Sequence, residues 1–242
     1  MYDNYVLGKK DFIKIITALA AVVEEKRDYL SDLDSPIGDG DHGFNLSIGF
    51  REVMKNLSLW EQESLAIIWE KIGMAILGKV GGSAGPLYGS FFLKFGEVAQ
   101  GKEIITFNDF YAMFSAGIAA IEMRGKAVVG EKTMVDALRP GIDAFADAME
   151  KQIEPLSAFS AFVEAADRGA KATIPIIAKK GRAMRLGERA IGHIDPGAVS
   201  ATLFLQTIYK ILLEKNDWRK GSTQEENCRK PTKRSVDCAF FF

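Results

Sequence analysis

Three aspartates fall within eight residues of one segment, Asp34-Ser-Pro-Ile-Gly38-Asp39-Gly40-Asp41-His42-Gly43, among glycines that can fold the backbone back on itself. Carboxylates this close repel one another unless a positive charge sits among them. An all-oxygen set suits a hard cation such as Mg²⁺ or Ca²⁺. The spacing is not that of an EF-hand. Counting from Asp39 puts Phe50 at position 12, and counting from Asp34 puts Asn45 there, where a bidentate Glu is required. The same residues would also make a solvated turn in which Asp41 caps the next helix. The pattern alone leaves metal site and turn both open.

A second glycine-rich loop, Gly78-Lys-Val-Gly-Gly82-Ser83-Ala84-Gly85-Pro86, opens a helix. Backbone N–H groups of such a turn, together with a helix N-terminus, form an anion cradle. It is not a P-loop, because Gly78-Lys79 is followed by Val80 rather than Ser or Thr. A tight helix–helix connection is the other reading. A third stretch runs Gly125-Lys-Ala-Val-Val-Gly130-Glu-Lys132-Thr133-Met134-Val-Asp136. The fourth holds Lys180-Gly181-Arg182, Gly187-Glu188-Arg189 and Gly192-His193-Ile-Asp195-Pro196-Gly197. Arg182 could pair with a phosphate and Met134 could cover an aromatic base, although each could equally be surface ion pair or core filler. Both histidines, His42 and His193, lie in these Gly/Asp-rich loops. One acidic loop and several suited to anions point to Mg²⁺-nucleotide chemistry.

The elements that must position these loops read as helix after helix. Phe12, Ile16, Leu19 and Val23 recur at helical spacing and predict one amphipathic helix from about Lys9 to Leu30. Further helices are predicted from Gly43 into Lys55, through Ile67 to Leu77, and after Gly85-Pro86 through Leu87, Phe91, Phe95 and Val98. Thr106-Phe-Asn-Asp109 starts another as a capping box with Asp in place of Glu, continuing to about Ile121. Met134–Lys151 and Ser157–Ala178 follow. The last starts at Asp195-Pro196, an N-cap with proline at N1, and ends near Leu213. Alternating Val/Ile/Thr runs and hairpin turns are missing, so no strands are predicted. The class is all-α, one domain of about eight helices over residues 1–213.

Composition narrows the function. Lys plus Arg (31) nearly balances Asp plus Glu (32), against a protein relying on a basic field to hold nucleic acid. Apolar runs are cut by charge well short of the roughly 20 residues of a membrane span. The segment Met1-Tyr-Asp-Asn-Tyr carries no basic stretch leading into an apolar one, so a cytoplasmic protein without a secretory signal is expected. Both cysteines, Cys228 and Cys238, fall after residue 213, excluding a thiolate metal site or cysteine nucleophile in the body. Residues 214–242 carry 7 basic and 5 acidic residues, lack an apolar period, and end Ala239-Phe-Phe-Phe. This polar tail is expected to be mostly disordered, or else a docking segment anchored by Phe240–Phe242.

The long motifs are recognisable in order. Asp34-Ser-Pro-Ile-Gly-Asp-Gly-Asp-His-Gly43 with Asn45 resembles the signature of the nucleotide-binding L subunit of dihydroxyacetone kinases. Gly81-Gly-Ser-Ala-Gly-Pro-Leu-Tyr-Gly89, Gly130-Glu-Lys-Thr-Met-Val-Asp-Ala-Leu138 and the blocks from Lys180 to Gly197 resemble its other motifs, over residues 5–213. The resemblance implies an antiparallel eight-helix barrel with a nucleotide, ADP or ATP, in the loops at one end. It implies two Mg²⁺ ions on Asp34, Asp39 and Asp41. Nucleotide contacts would fall on His42, Gly43, Phe44, Asn45, Ser83, Ala84, Gly125, Met134, Arg182, Asp195, Pro196 and Gly197. One departure stands out: Gly82-Ser83-Ala84-Gly85 replaces the family's Gly-Ala-Ser-Gly.

In that family the ketose is bound covalently through a histidine of a separate K subunit or domain, and this chain has no counterpart of that histidine. No catalytic residue is therefore expected beyond the metal–nucleotide site, where phosphoryl transfer rests on positioning and charge neutralisation. Three functions are compatible. The chain is the L subunit of a phosphotransferase-system kinase, with bound ADP rephosphorylated by a phosphocarrier M subunit. Alternatively, it serves an ATP-dependent triose or tetrose ketose kinase. The third is a regulatory module that binds nucleotide without catalysis, against which the intact aspartate set argues.

Overall fold

The structure, a computed structural model, describes residues 2–228, with side chains described through residue 216. Nine α-helices are found among them: α1 (Lys9–Glu25), α2 (Arg27–Asp34), α3 (His42–Trp60), α4 (Leu65–Lys79), α5 (Ala84–Val98), α6 (Phe107–Gly125), α7 (Met134–Glu150), α8 (Pro155–Ala172) and α9 (Pro196–Cys228). The all-α expectation holds. The caps read from the sequence are present. Thr106 and Asp109 exchange capping bonds at α6 (Asp109 N–H to Thr106 Oγ1, 3.1 Å; Thr106 N–H to Asp109 Oδ2, 3.0 Å). At α9, Asp195 Oδ2 accepts the Ala198 N–H at 2.7 Å, with Pro196 at the first helical position.

Three departures are local. The predicted Lys9–Leu30 helix is two, bent at Lys26, with the backbone bonds Lys26 N–H to Val22 O and Leu30 N–H to Lys26 O (both 2.9 Å) carried across the bend. The bend turns α2 onto α3. Two three-residue strands, β1 (Val6–Gly8) and β2 (Ile104–Thr106), pair antiparallel with Val6 opposite Thr106, too short to leave an alternating pattern. The last helix also runs past Leu213 to Cys228. Glu214 pairs with Lys14 at 2.7 Å and Lys215 with Asp11, so the polar start of the expected tail is tied to α1. Phe240–Phe242 lie outside the described residues.

Neighbouring helices pack in sequence: α1 on α3, α3 on α4, and so on through α8 on α9, while α9 returns to α1. Eight long helices thus make a closed circuit, with α2 set against α3 and α9. The α2–α3, α4–α5, α6–α7 and α8–α9 connections meet around one cavity, and the intervening connections do not reach it. Alternate connections at one end are what an up-and-down order of helices requires. At the other end β1 pairs with the connection before α6, and Tyr2 Oη donates to Ile153 O at 2.6 Å in the α7–α8 connection.

The circuit is filled rather than hollow. Trp69 stacks on Phe92 (5.6 Å between ring centres), and Phe114 meets Phe95, Phe110 and Phe162 edge-on at 5.0–5.3 Å. The cavity left among these rings is only about 20 Å³. The stretch Pro196–Asn216 of α9 is long and apolar enough to cross a membrane, but 61% of its window is buried within the protein, against α1, α7 and α8 among others. Its apolar character is explained by the core.

A prediction concerns the tail. A chain ending at Asn216 keeps both ties to α1 and is expected to unfold at the same urea midpoint as the full chain. One ending at Leu213 loses both, at a cost of about 1 kcal/mol or less, as partly exposed ion pairs are worth. A larger loss for the Asn216 chain would show that residues beyond it pack on the fold.

Candidate metal and nucleotide site

The acidic loop closes because its glycines lack side chains. A Cβ on Gly38 would overlap the Asp34 carboxylate, so glycine here leaves that carboxylate where it stands at the end of α2. The Asp41 N–H donates to Asp34 Oδ2 at 3.1 Å. Asp41 stands at the N-cap position of α3, yet its side chain makes no capping bond. Its carboxylate turns instead to the other two, and Asp34, Asp39 and Asp41 each bring an oxygen within 4.8 Å of the others. A turn held by an Asp41 cap does not describe this arrangement. Three converging hard oxygen donors fit Mg²⁺. The Arg182 guanidinium, from the connection before α9, pairs with Asp39 and places a positive charge in the cluster.

Opposite stands the loop from α4 to α5. Gly81 approaches Asn45 so closely that a Cβ would lie 2.6 Å from Asn45 Oδ1, and Gly82 adopts φ +63°. Ser83 occupies the N-cap position of α5 without capping it, and both Ser83 and Ala84 line the cavity. The exchanged Ser-Ala order therefore still presents a hydroxyl at the helix N-terminus, one residue earlier in the chain.

The cavity between these loops is about 460 Å³. Its lining includes Asp34, Asp39, Asp41, His42, Asn45, Ser83, Ala84, Gly125, Met134, Arg182, Asp195, Pro196 and Gly197, all singled out from the sequence. Gly43 and Phe44 do not line it. Gly43 is buried against α2, where a Cβ would overlap the Arg27 carbonyl. Phe44 is 46% exposed on the outer face, its N–H given to Ser31 Oγ (3.2 Å) and its ring beneath the Arg27 guanidinium (5.2 Å). Ile37, Leu87, Ile121 and Lys132 line the cavity and were not singled out. With Met134, the apolar three add hydrocarbon surface to the lining, as a site for a flat ring needs.

A buried polar chain backs the site. His42 Nε2 lies 2.9 Å from Ser200 Oγ, which lies 2.7 Å from Tyr88 Oη, joining α3, α9 and α5. Burial pushes the His42 imidazole down to about 4 and raises the Tyr88 hydroxyl, so both are neutral at pH 7. Asp195 goes the other way. Burial raises its carboxyl to about 7, with Asp136 and Asp34 pushing the same way and the Ala198 N–H and Lys132 pulling back.

The sign of the pH effect follows. Between about pH 4 and 7 the folded chain keeps a proton on Asp195 that the unfolded chain releases, so this group's contribution to stability is lost as pH rises. His42 acts oppositely: its contribution is lost as pH falls from about 6.5 towards 4. Asp195→Asn, which keeps an acceptor for Ala198, should match the parent near about pH 4.5 and exceed it at about pH 8, by on the order of 2 kcal/mol in urea unfolding. An equal difference at both values would refute the buried-carboxyl assignment.

Comparison with known proteins places this geometry. The DAK2 domain family matches residues 36–210. The chain is 49% identical over 212 residues, 87% of its length and 98% of the relative's, to the protein named PEP-dependent dihydroxyacetone kinase 2, ADP-binding subunit DhaL, of Listeria innocua serovar 6a. It is 35% identical, over 84% of its length and 96% of the relative's, to the ADP-binding subunit DhaL of the PEP-dependent dihydroxyacetone kinase of Escherichia coli K12. Among solved structures, the dihydroxyacetone kinase of C. freundii in complex with AMP-PNP and Mg²⁺ superposes with a TM-score of 0.61 at 28% identity over 84% of this chain. The chain spans about a third (33%) of that structure's length.

Proposed function

The chain belongs to the DAK2 domain family, and from that premise we propose that it is the Mg-nucleotide-holding phosphoryl-transfer subunit of a dihydroxyacetone or related ketose kinase. The observation that carries this reading is the meeting, across one cavity, of three carboxylates and a glycine-rich helix N-terminus. Magnesium held by Asp34, Asp39 and Asp41 would neutralise the charge of phosphate oxygens, as such ions do in phosphoryl transfer generally.

The chain's own residues bind and orient. Backbone amides of Gly81–Ala84 at the start of α5 receive phosphate oxygens, with the Ser83 hydroxyl as a further donor. Arg182 supplies a forked cation that can move from Asp39 to a phosphate. Met134, Leu87 and Ile121 take the base, and Asp195-Pro196-Gly197 closes that side. Neutral His42, held by Ser200, offers polarity without a competing charge. No side chain is assigned as general base, because the acceptor hydroxyl belongs to a substrate held by a K-type partner subunit.

Of the two kinase modes, bound ADP rephosphorylated by a phosphocarrier M subunit is favoured over exchangeable ATP. The relatives that this chain matches along almost their whole length are ADP-binding subunits of PEP-dependent kinases. The setting consistent with such a partner system is the cytoplasm. The test is to denature the purified protein and identify what is released by mass. Near-stoichiometric ADP is expected for the bound-cofactor mode. An empty protein that then fails to bind Mg-ADP or Mg-ATP would overturn the reading altogether.

A further inference from the structure

Among the described residues, Lys132 is the only charged side chain in the set of most deeply buried large ones, at 2% exposure, and no nucleotide contact has been assigned to it. Its backbone takes φ +61°, a conformation unfavourable for a residue with a side chain, just before the cap of α7. From there its ammonium donates to the carbonyl of Thr173 at 2.6 Å and to that of His193. Those carbonyls stand at the two ends of the segment between α8 and α9. The neck of this segment is otherwise held by Gly192 N–H to Ile174 O (2.9 Å) and Asp195 N–H to Thr173 Oγ1 (2.9 Å). The strap between these ends carries Arg182, packs Ala178 and Ala190 on Ile37, and reaches Asp39.

We infer that Lys132 is a positioning residue whose ammonium clasps the neck of the 174–192 strap, and so sets where Arg182 and Asp195 stand over the cavity. The chemistry supports a clasp. A buried ammonium has three donors in flexible directions and suits two carbonyls converging from different chain segments. Desolvation lowers the affinity of Lys132 for its proton, while the nearby Asp195 and Asp136 favour the charged form. Asp136 is occupied with the same turn: its carboxylate accepts the N–H groups of Gly130 (2.6 Å) and Thr133 (2.7 Å). The turn bearing Lys132 is thus fixed to α7, and Lys179 N–H adds a bond to Glu131 O at 3.1 Å. A rigid helix start holds a long strap at its base.

The inference rests on the reading of the cavity as a nucleotide site, and the test separates the two. Hydrogen exchange by mass spectrometry on the ligand-free full chain compares the parent with Lys132→Met. Peptides covering 174–195 are expected to exchange at least tenfold faster in the variant, while those of α4 and α5 stay protected. In calorimetry, Lys132→Met should weaken Mg-ADP at least tenfold, and Arg182→Ala should add little in that background, since both losses act through one strap. Unchanged strap exchange, or fully additive losses of affinity, would overturn the clasp. Failure of the parent to bind Mg-ADP would count against the nucleotide reading, and the exchange experiment would still decide the clasp. Should Lys132→Met not fold, Lys132→Gln, whose shorter amide cannot span both carbonyls, is read in the same exchange experiment, and unchanged exchange of 174–195 would again overturn the clasp.

Discussion

Asp39→Asn should weaken Mg-ADP binding by two to three orders of magnitude while changing the thermal midpoint of the ligand-free protein little. Two opposing effects meet at Asp39 when no ligand is bound. Its carboxylate repels those of Asp34 and Asp41, which lie within 4.8 Å, and it pairs with Arg182. Removing the charge relieves the first and loses the second, so the ligand-free stability moves little. With Mg-ADP the balance changes, because one of three hard donors is gone and a neutral amide oxygen replaces an anionic one. A ligand at 100 times its Kd adds about 2.7 kcal/mol to folding stability. At a concentration that gives the parent this gain, the variant should show almost none. Asp32→Asn, an exposed change of the same charge on α2, serves as control and should leave binding intact. Titration calorimetry with and without Mg²⁺ reads both variants. Equal losses in the two would mean that Asp39 acts through net charge and not as a ligand, and an unchanged Kd in Asp39→Asn would remove the metal assignment.

How much of this was legible in the sequence depends on the range of the interaction. Helix starts were readable because their signals are local: Thr106 with Asp109, and Asp195 with Pro196, complete their caps within three residues. The cavity was readable as four glycine-rich loops because an up-and-down circuit brings alternate connections to one end. Lys132 was not readable as a structural residue. A lysine between a glutamate and a threonine has the sequence character of a solvated turn, and its two carbonyl partners lie 41 and 61 residues away. Phe44 stands outside the cavity lining for a related reason. Helix α3 starts at His42, so side chains two positions apart point roughly 160° apart around the axis, and His42 facing the cavity turns Phe44 outward. The bend at Lys26 has no glycine or proline to announce it. The strand pair is set by contact between the N-terminus and the connection before α6, which no local period encodes.

The largest effect expected is all-or-none: this chain alone should not phosphorylate dihydroxyacetone, and turnover should require a K-type subunit. The described cavity is lined by the acid cluster, the glycine-rich loop across from it, and the apolar side chains of Met134, Leu87 and Ile121, dimensions and chemistry that a nucleotide with its metal would fill. Neither histidine is free to attack a carbonyl from that cavity. His42 is bonded to Ser200, and His193 stands outside the lining at the neck of the strap. On the proposed reading a ketose would be presented by another chain, with its hydroxyl within about 3–3.5 Å of the transferred phosphorus. A coupled assay with the chain alone, with a K-type subunit and ATP, and with that subunit plus a phosphocarrier chain separates the possibilities. Product is expected only in the third mixture, at least about a thousandfold above the first, since approximation of the reactants alone supplies effects of that size. Efficient turnover of ATP in the second would replace bound ADP by exchangeable nucleotide. Product from the chain alone would show that the acceptor site lies within these 242 residues and overturn the two-component mechanism.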